Sequence, residues 1–198
     1  MKIVGVGCGP SMLTLHAIAI IREAHEVHGS TRALELAAPF LRSDCEKHLI
    51  TDYSSLNTLD SSAVVLSTGD PMLAGLGYLD GDVIPGISSL SYAAAKLHIK
   101  LADVTVVNAH GRDHKNAVQK TIEELGREKI VFLLADPLFM TDNLAEQIHS
   151  AGLFCDIIIC EALGYPEESF VFGSSEHPPV PGQELFSLFV ICKEKNIA

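Results

Sequence analysis

Apolar residues in the first half of the chain fall into short continuous runs separated by longer stretches of mixed polarity. KIVGVG, residues 2–7, is an uninterrupted apolar run ending in glycine, the pattern of a strand buried on both faces. LTLHAIAIIREA (13–24) is long enough for a helix and carries Arg22 and Glu23 near its end. HEVHGS (25–30) reads as a short strand. RALELAAPFLR (32–42) reads as a helix that Pro39 must end or kink, because proline lacks the amide donor and its ring clashes with the preceding turn. KHLITDY (47–53) predicts a strand, and AVVLSTGDP (63–71) a buried strand running into a Gly-Asp-Pro turn. GDVIPGISS (81–89) predicts a short strand and a turn, followed by a helix over 89–99 with Ser88 or Ser89 as its N-cap.

In the second half, predicted strands at 103–111, 128–137 and 155–164 alternate with predicted helices at 114–126 and 141–152. Gly126 closes the first of these helices, and Thr141 or Asp142 is the expected cap of the second. SFVFGS (169–174) and LFSLFVICK (185–193) follow as strands with no helix between them, which predicts antiparallel pairing there. Alternating strands and helices predict the α/β class: an N-terminal α/β domain over 1–102 and a C-terminal one with a mixed sheet over 103–198.

Composition narrows the function classes. With 47% hydrophobic and 20% charged residues the chain can bury a core, and disorder is excluded. No apolar stretch reaches the roughly 18 residues of a membrane-spanning helix. A net charge of −11 argues against nucleic acid and anionic membranes as partners, since both require clustered Lys and Arg. The five cysteines are odd in number and form no CxxC pair, so neither a zinc ribbon nor a redox motif is supported. Cys155, Cys160 and Cys192 lie in apolar runs and are expected as reduced core thiols, which implies a cytoplasmic setting. His16, His25 and His28 are scattered without an acidic partner at metal spacing, and no metal site is expected. Neither a GxSxG elbow nor a GxxxxGKS/T loop occurs, so a hydrolase triad and a nucleotide-phosphate cradle are unsupported.

Candidate chemistry sits at the predicted strand ends, where ligands of open α/β sheets bind. Gly5-Val6-Gly7-Cys8-Gly9-Pro10-Ser11 is not a dinucleotide fingerprint, because Pro10 stands where GxGxxG needs its third glycine. It serves equally as a tight turn or as a place where a ligand approaches the backbone. In Ser67-Thr68-Gly69-Asp70-Pro71-Met72-Leu73-Ala74-Gly75, Asp70 either caps the turn that follows or accepts a hydrogen bond from a ligand. Ile84-Pro85-Gly86-Ile87-Ser88-Ser89 puts two hydroxyls where a helix begins, as an ordinary cap or beside outward-pointing N–H groups. The second half offers Ala109-His110-Gly111-Arg112, Leu134-Ala135-Asp136 and Glu161-Ala162-Leu163-Gly164-Tyr165-Pro166. There His110 and Arg112 could both meet a carboxylate.

The ordered set GxGxG, SxGDP, PGISS, HGR, LGYP resembles the tetrapyrrole methylase family over nearly the whole chain. VIPGISS, AHGR and EALGYPEE carry a narrower resemblance, to stand-alone members that methylate C-5 of a cobalt-precorrin in cobalamin synthesis. The resemblance implies two α/β domains with S-adenosylmethionine folded in a cleft between them, S-adenosylhomocysteine as product, and a homodimer. It implies cofactor contacts at Cys8, Gly9, Gly69, Asp70, Met72, Leu73, Ser88, Ser89, Leu134, Ala135 and Leu163. Asp70, His110 and Arg112 are its weak catalytic candidates, and a separate decarboxylating precorrin methylase is an implied partner. Two departures border the implied cleft: Cys8 stands in place of the family's proline, and the segment between Gly75 and Val83 is short. A corrinoid carries many carboxylates, so at a net charge of −11 basic residues must gather locally, with Arg32, Arg112 and Lys115 as candidates. The competing readings are another tetrapyrrole methylase with a different ring position, and a non-catalytic nucleotide-binding α/β module.

Overall fold

The computed structural model of the protein describes residues 1–111 and 113–192. The chain divides into two compact units, Met1–Tyr92 and Ala93–Ala198, and each has its own five-stranded sheet.

In the first unit the strands are β1 (Lys2–Gly5), β2 (Glu26–Gly29), β3 (Glu46–Leu49), β4 (Val64–Ser67) and β5 (Asp82–Ile84). They pair in parallel in the order β3-β2-β4-β1-β5. Every residue of β4 is buried, as expected of a parallel strand covered on both faces. Helix α1 (Leu15–Glu23) starts at Thr14, whose hydroxyl accepts the Ala17 N–H, and α2 (Thr31–Ala37) starts in the same way at Ser30. The predicted helix over 32–42 ends at Ala37 and tightens into a 3-10 turn, Ala38–Phe40, around Pro39. The strand predicted over 47–53 is β3, and Tyr53 instead opens a 3-10 turn to Thr58. After the Gly-Asp-Pro turn a single helical turn, α3 (Pro71–Ala74), precedes a loop that Leu76 and Leu79 anchor against Ile3, Leu56 and Val65.

Helix α4 (Ser89–Lys96) carries the chain across the division between the units. Ser88 is its cap, its hydroxyl accepting the Ser91 N–H at 3.0 Å.

The second unit contains β6 (Val104–Asn108), α5 (His114–Leu125), β7 (Ile130–Leu134), α6 (Thr141–Ser150), β8 (Cys155–Glu161), β9 (Ser169–Ser174) and β10 (Phe186–Cys192). The sheet order is β6-β7-β10-β8-β9, and only the β6–β7 pair is parallel. The antiparallel end is the one predicted from the missing crossover helix. β7 and β8 both run antiparallel to β10, so β6, β7 and β8 finish at the same edge of the sheet. One face of that sheet packs Val131, Leu133, Ile157, Ile159, Leu188 and Val190 with buried residues of α5 and α6. On the other face the Phe132 and Phe189 rings meet at a tilt of 57° with centroids 4.8 Å apart.

Two expectations are corrected. Neither Thr141 nor Asp142 caps α6: the cap position is Met140, without a side-chain hydrogen bond. The Thr141 hydroxyl is turned away from the helix end and donates to the Pro179 carbonyl at 2.9 Å, while Asp142 complements the helix dipole from the first turn. Nor are all the cysteines free thiols. Cys155 and Cys192 are register partners on β8 and β10 and are joined as a disulfide that closes a sequence separation of 37. Cys8, Cys45 and Cys160 are buried and take no part in a disulfide. Burial, and next Glu168, push the Cys160 thiol up to about 12, so it stays protonated in its core position.

Candidate functional site

β4, β1 and β5 are neighbours in the first sheet and run parallel, so their carboxyl ends emerge side by side. The three glycine-bearing turns follow from those ends. Gly7 and Gly69 exchange backbone hydrogen bonds: the Gly69 N–H donates to Gly7 at 2.8 Å and the Gly7 N–H to Gly69 at 3.3 Å. The Cys8 N–H donates to the Ile87 carbonyl at 3.0 Å, which ties the first turn to the third. Asp70 joins the second turn to the third. Its Oδ1 accepts the Met72 N–H at 2.8 Å and its Oδ2 accepts the Gly86 N–H at 3.0 Å. The alternative left open for Asp70 is thereby decided in part: the carboxylate caps α3 and also holds the turns together.

Glycine is required here for two different reasons. Gly7 and Gly69 have φ of +81° and +74°, which side-chain-bearing residues rarely adopt. Gly5 and Gly86 are needed for space. A Cβ on Gly5 would lie 2.6 Å from the Gly86 nitrogen, and one on Gly86 would lie 2.1 Å from the Gly69 carbonyl oxygen. By contrast, a Cβ on Gly69 would meet only the Ser88 Cα, at 3.9 Å. The turns are therefore packed backbone to backbone beneath Gly69 and open on the side facing Ser88. A ligand laid against main chain fits such a cradle.

Around it, Cys8 and Gly9 are buried, and the Cys8 thiol contacts the Met12 sulfur at 3.4 Å. Met72 is exposed, while Leu73, Ser88 and Ser89 are half-buried. Cys8, Gly69, Asp70 and Ser88 are thus gathered at one corner of the first unit, with Gly9, Met72, Leu73 and Ser89 next to them in the chain.

In the second unit the turns after β6, β7 and β8 share one sheet edge. Asp136 organises the first two. Its carboxylate accepts the Gly111 N–H at 2.9 Å and the Leu138 N–H at 2.9 Å, and pairs with His114 Nε2 at 2.8 Å. Burial alone would push the Asp136 carboxyl up, but the Gly111 N–H, the His114 ring and the Leu138 N–H outweigh it and hold it below the usual carboxylate range. The ring that meets a carboxylate is therefore that of His114. The His110 side chain is exposed, and its backbone N–H donates to Asn108 Oδ1 at 2.8 Å. Arg112 lies outside the described residues. Leu134 and Ala135 are half-buried at the end of β7, and Leu163 is buried just beyond β8. The turn holding Leu163 is closed by the Tyr165 N–H donating to the Ala162 carbonyl at 2.9 Å and the Gly164 N–H donating to Glu168 Oε2 at 2.7 Å, and Glu161 just before it accepts Ser169 Oγ at 2.5 Å, the Gly182 N–H at 2.5 Å and the Gln183 N–H at 3.1 Å. Arg32 and Lys115 lie in the first turns of α2 and α5, just after the carboxyl ends of β2 and β6.

Residues 2–178 match the family described as Tetrapyrrole (Corrin/Porphyrin) Methylases. The chain belongs to this family. A relative from Methanocaldococcus jannaschii, named "Probable cobalt-precorrin-7 C(5)-methyltransferase", is 36% identical over 147 residues, 66% of this chain and 69% of that one. A decarboxylating Precorrin-6Y C(5,15)-methyltransferase from Sinorhizobium sp is 33% identical over 125 residues, which make up 57% of this chain but only 30% of that longer protein. Among solved structures, the Precorrin-6Y methylase of Archaeoglobus fulgidus superposes with a TM-score of 0.77 at 26% identity, covering 98% of each chain. The matched span of the family includes all the turns above except the loop beyond residue 178, which supplies Gly182 and Gln183 to Glu161. Among the described residues no helix of this tetrapyrrole methylase is long and apolar enough to cross a membrane.

Several parts of the methylase chain were not legible from motifs. The His114–Asp136 pair joins residues 22 apart, and Glu161 reaches 21 residues forward to Gly182. The expectation that His28 has no acidic partner does not hold. Its Nε2 lies 3.9 Å from Glu26 Oε1, and its ring stacks on His48 at 4.7 Å. Burial, and then His48, lower the pKa of His28 against the opposing pull of Glu26. The strict two-residue alternation of Glu26 with His28, repeated by Glu46 with His48, was the available signal.

Proposed function

We propose that this methylase transfers a methyl group from S-adenosylmethionine to C-5 of a cobalt-precorrin, a step of cobalamin biosynthesis. The observation that carries the reading is the junction of three turns at the carboxyl ends of β4, β1 and β5, closed by Asp70 and open above Gly69. Cys8, Gly9, Gly69, Asp70, Met72, Leu73, Ser88 and Ser89 would line the donor from this unit. Leu134, Ala135 and Leu163 are the contacts assigned to the second domain, taken as 103–198 with the first as 1–102. The relatives' C-5 chemistry supports the ring position.

S-adenosylmethionine, when bound, supplies a methyl group already activated on a sulfonium. The protein's part is placement. Holding reacting atoms in line at about 3–3.5 Å can contribute roughly 7–11 kcal/mol to lowering the barrier. Turns fixed by backbone-to-backbone packing suit that task, because they lose little further freedom on binding. Asp70 acts as a positioning residue, since both its oxygens are engaged by main-chain donors. Arg32, Lys115 and Arg112 are the candidates to meet substrate carboxylates, and His110, two residues before Arg112, is exposed.

The protein is proposed to be homodimeric; the expectation of a cytoplasmic setting rested on reduced thiols, and the Cys155–Cys192 disulfide removes that ground. The longer Sinorhizobium relative is named for two ring positions and a decarboxylation, and this chain matches only a part of it. That contrast supports a separate decarboxylating precorrin methylase as a working partner.

Two measurements test the reading. Incubation with S-adenosylmethionine and a cobalt-precorrin should give a product carrying one added methyl group, which NMR places at C-5. Addition at another carbon would favour a different member of the family, and tight donor binding without turnover would favour a non-catalytic module. In calorimetry, Asp70→Ala should weaken S-adenosylhomocysteine binding by about tenfold or more, since hydrogen bonds to a charged acceptor contribute roughly 1.5–3 kcal/mol each. Unchanged affinity would remove Asp70 from the site.

A further inference from the structure

Away from the donor turns, β2 and the edge strand β3 present a compact set of metal-binding groups. Glu26 and His28 alternate along β2 and so share one face of the sheet. Glu46 and His48 do the same on β3, and the register pairs Glu26 with Glu46 and His28 with His48. One donor atom each from Glu26, His28 and His48 lie within 4.8 Å of one another. His48 Nε2 is 3.9 Å from Glu26 Oε2 and 3.6 Å from Glu46 Oε2.

Two features of this face would be relieved by a cation. Like charges directly opposite on paired strands destabilise the pairing, and Glu26 faces Glu46. Among the described residues no Lys or Arg lies within ion-pair distance of either carboxylate, whose only such partners are the imidazoles. In addition, His28 Nε2 is buried and has no hydrogen-bond partner, although buried polar atoms are nearly always satisfied.

We propose that Glu26, His28 and His48 bind a divalent transition-metal ion of the zinc type, with Glu46 available as a fourth ligand. Two imidazoles with carboxylate suit zinc and its neighbours, whereas calcium and magnesium select all-oxygen sites. Tetrahedral bonds of about 2.0–2.1 Å set ligand atoms roughly 3.4 Å apart. The observed separations of 3.6–3.9 Å between the imidazole nitrogens and the carboxylate oxygens are close to that spacing. The ion would clamp the four-residue edge strand β3 to β2. It would also neutralise the facing carboxylates. Glu26 and Glu46 line a groove at the amino ends of the strands, with Lys2, Glu23, His25 and Ser62, so an ion can enter from solvent. This is the end of the first sheet opposite the donor turns, so the site is independent of the donor reading.

The test uses the full chain, stripped with a chelator and titrated with Zn2+ against a chromophoric competitor, and with Co2+ as a spectroscopic probe. One equivalent of Zn2+ should bind in the micromolar range or tighter, raise Tm, and compete with Co2+ that shows the ligand-field bands of a four-coordinate site. Affinity should fall by more than about 100-fold in His28→Ala and in His48→Ala, since even outer-shell partners are worth about 10- to 100-fold. It should stay unchanged in His16→Ala. His48 is exposed, so its variant decides the matter should His28→Ala fail to fold. Absence of stoichiometric Zn2+ binding, or equal affinity in His48→Ala and the parent, overturns the proposal.

Discussion

Gly86→Ala is expected to abolish S-adenosylhomocysteine binding and to lower Tm by about 6–12 °C. The added methyl would sit 2.1 Å from the Gly69 carbonyl oxygen and 2.9 Å from the Gly5 backbone, so main chain rather than a flexible side chain must yield. Overpacking of this kind costs about 3 kcal/mol, and for a chain of this size each kcal/mol shifts Tm by about 2–4 °C. The binding loss follows from the same clash. The Gly86 N–H is one of the two donors that Asp70 uses to join the second and third turns, and displacing it opens the cradle. Gly126→Ala is the control. That residue has φ of −64° and its nearest contact for a Cβ is an ordinary 3.4 Å, so Tm and binding should barely change. Differential scanning fluorimetry and calorimetry read both effects. A Gly86→Ala protein that binds the ligand normally would mean that the three turns need not be in contact for the site to work.

Glu161→Ala is expected to destabilise the second unit by about 3–5 kcal/mol. The carboxylate is buried and accepts three hydrogen bonds, from Ser169, Gly182 and Gln183. Truncation removes all three bonds and empties a buried position, although the exposed Gly182 can turn to water, and each bond to a charged acceptor is worth roughly 1.5–3 kcal/mol, with incomplete additivity. Glu161→Gln should fall between the parent and the alanine variant, because the amide oxygen can keep the Gly182 and Gln183 N–H groups and its NH2 can donate to the Ser169 hydroxyl, but the charge that strengthens the bonds is lost. Hydrogen exchange gives the local signature: the Gly182 and Gln183 amides should lose protection in the alanine variant. The turn carrying Ala162, with its φ of +43°, and Leu163 should loosen with them. Equal Tm and unchanged protection would show that the loop is held by other contacts.

Much of this molecule could be read from the chain because the informative residues act locally. The Gly7, Gly69 and Gly86 turns, the cap at Ser88, and the buried runs of β1 and β4 all follow from neighbours a few residues apart. The antiparallel end of the second sheet was legible for a related reason, since 169–174 and 185–193 leave no room for a crossover helix. What escaped depends on register. His28 meets His48, and Cys155 meets Cys192, only once strands distant in sequence are paired. The α6 cap was misread because Thr141 spends its hydroxyl on Pro179, 38 residues away, a competitor that no local pattern discloses. His110 had the motif, but His114, four residues further on at the start of α5, has the reach to Asp136.

The identity of the donor site is open to one direct measurement, a crystal structure of the full chain with S-adenosylhomocysteine. The expected result is ligand density lying against the backbone of residues 7–9, over Gly69 to Leu73, and beside Ser88 and Ser89. Density lodged elsewhere, with those turns bare, would contradict it.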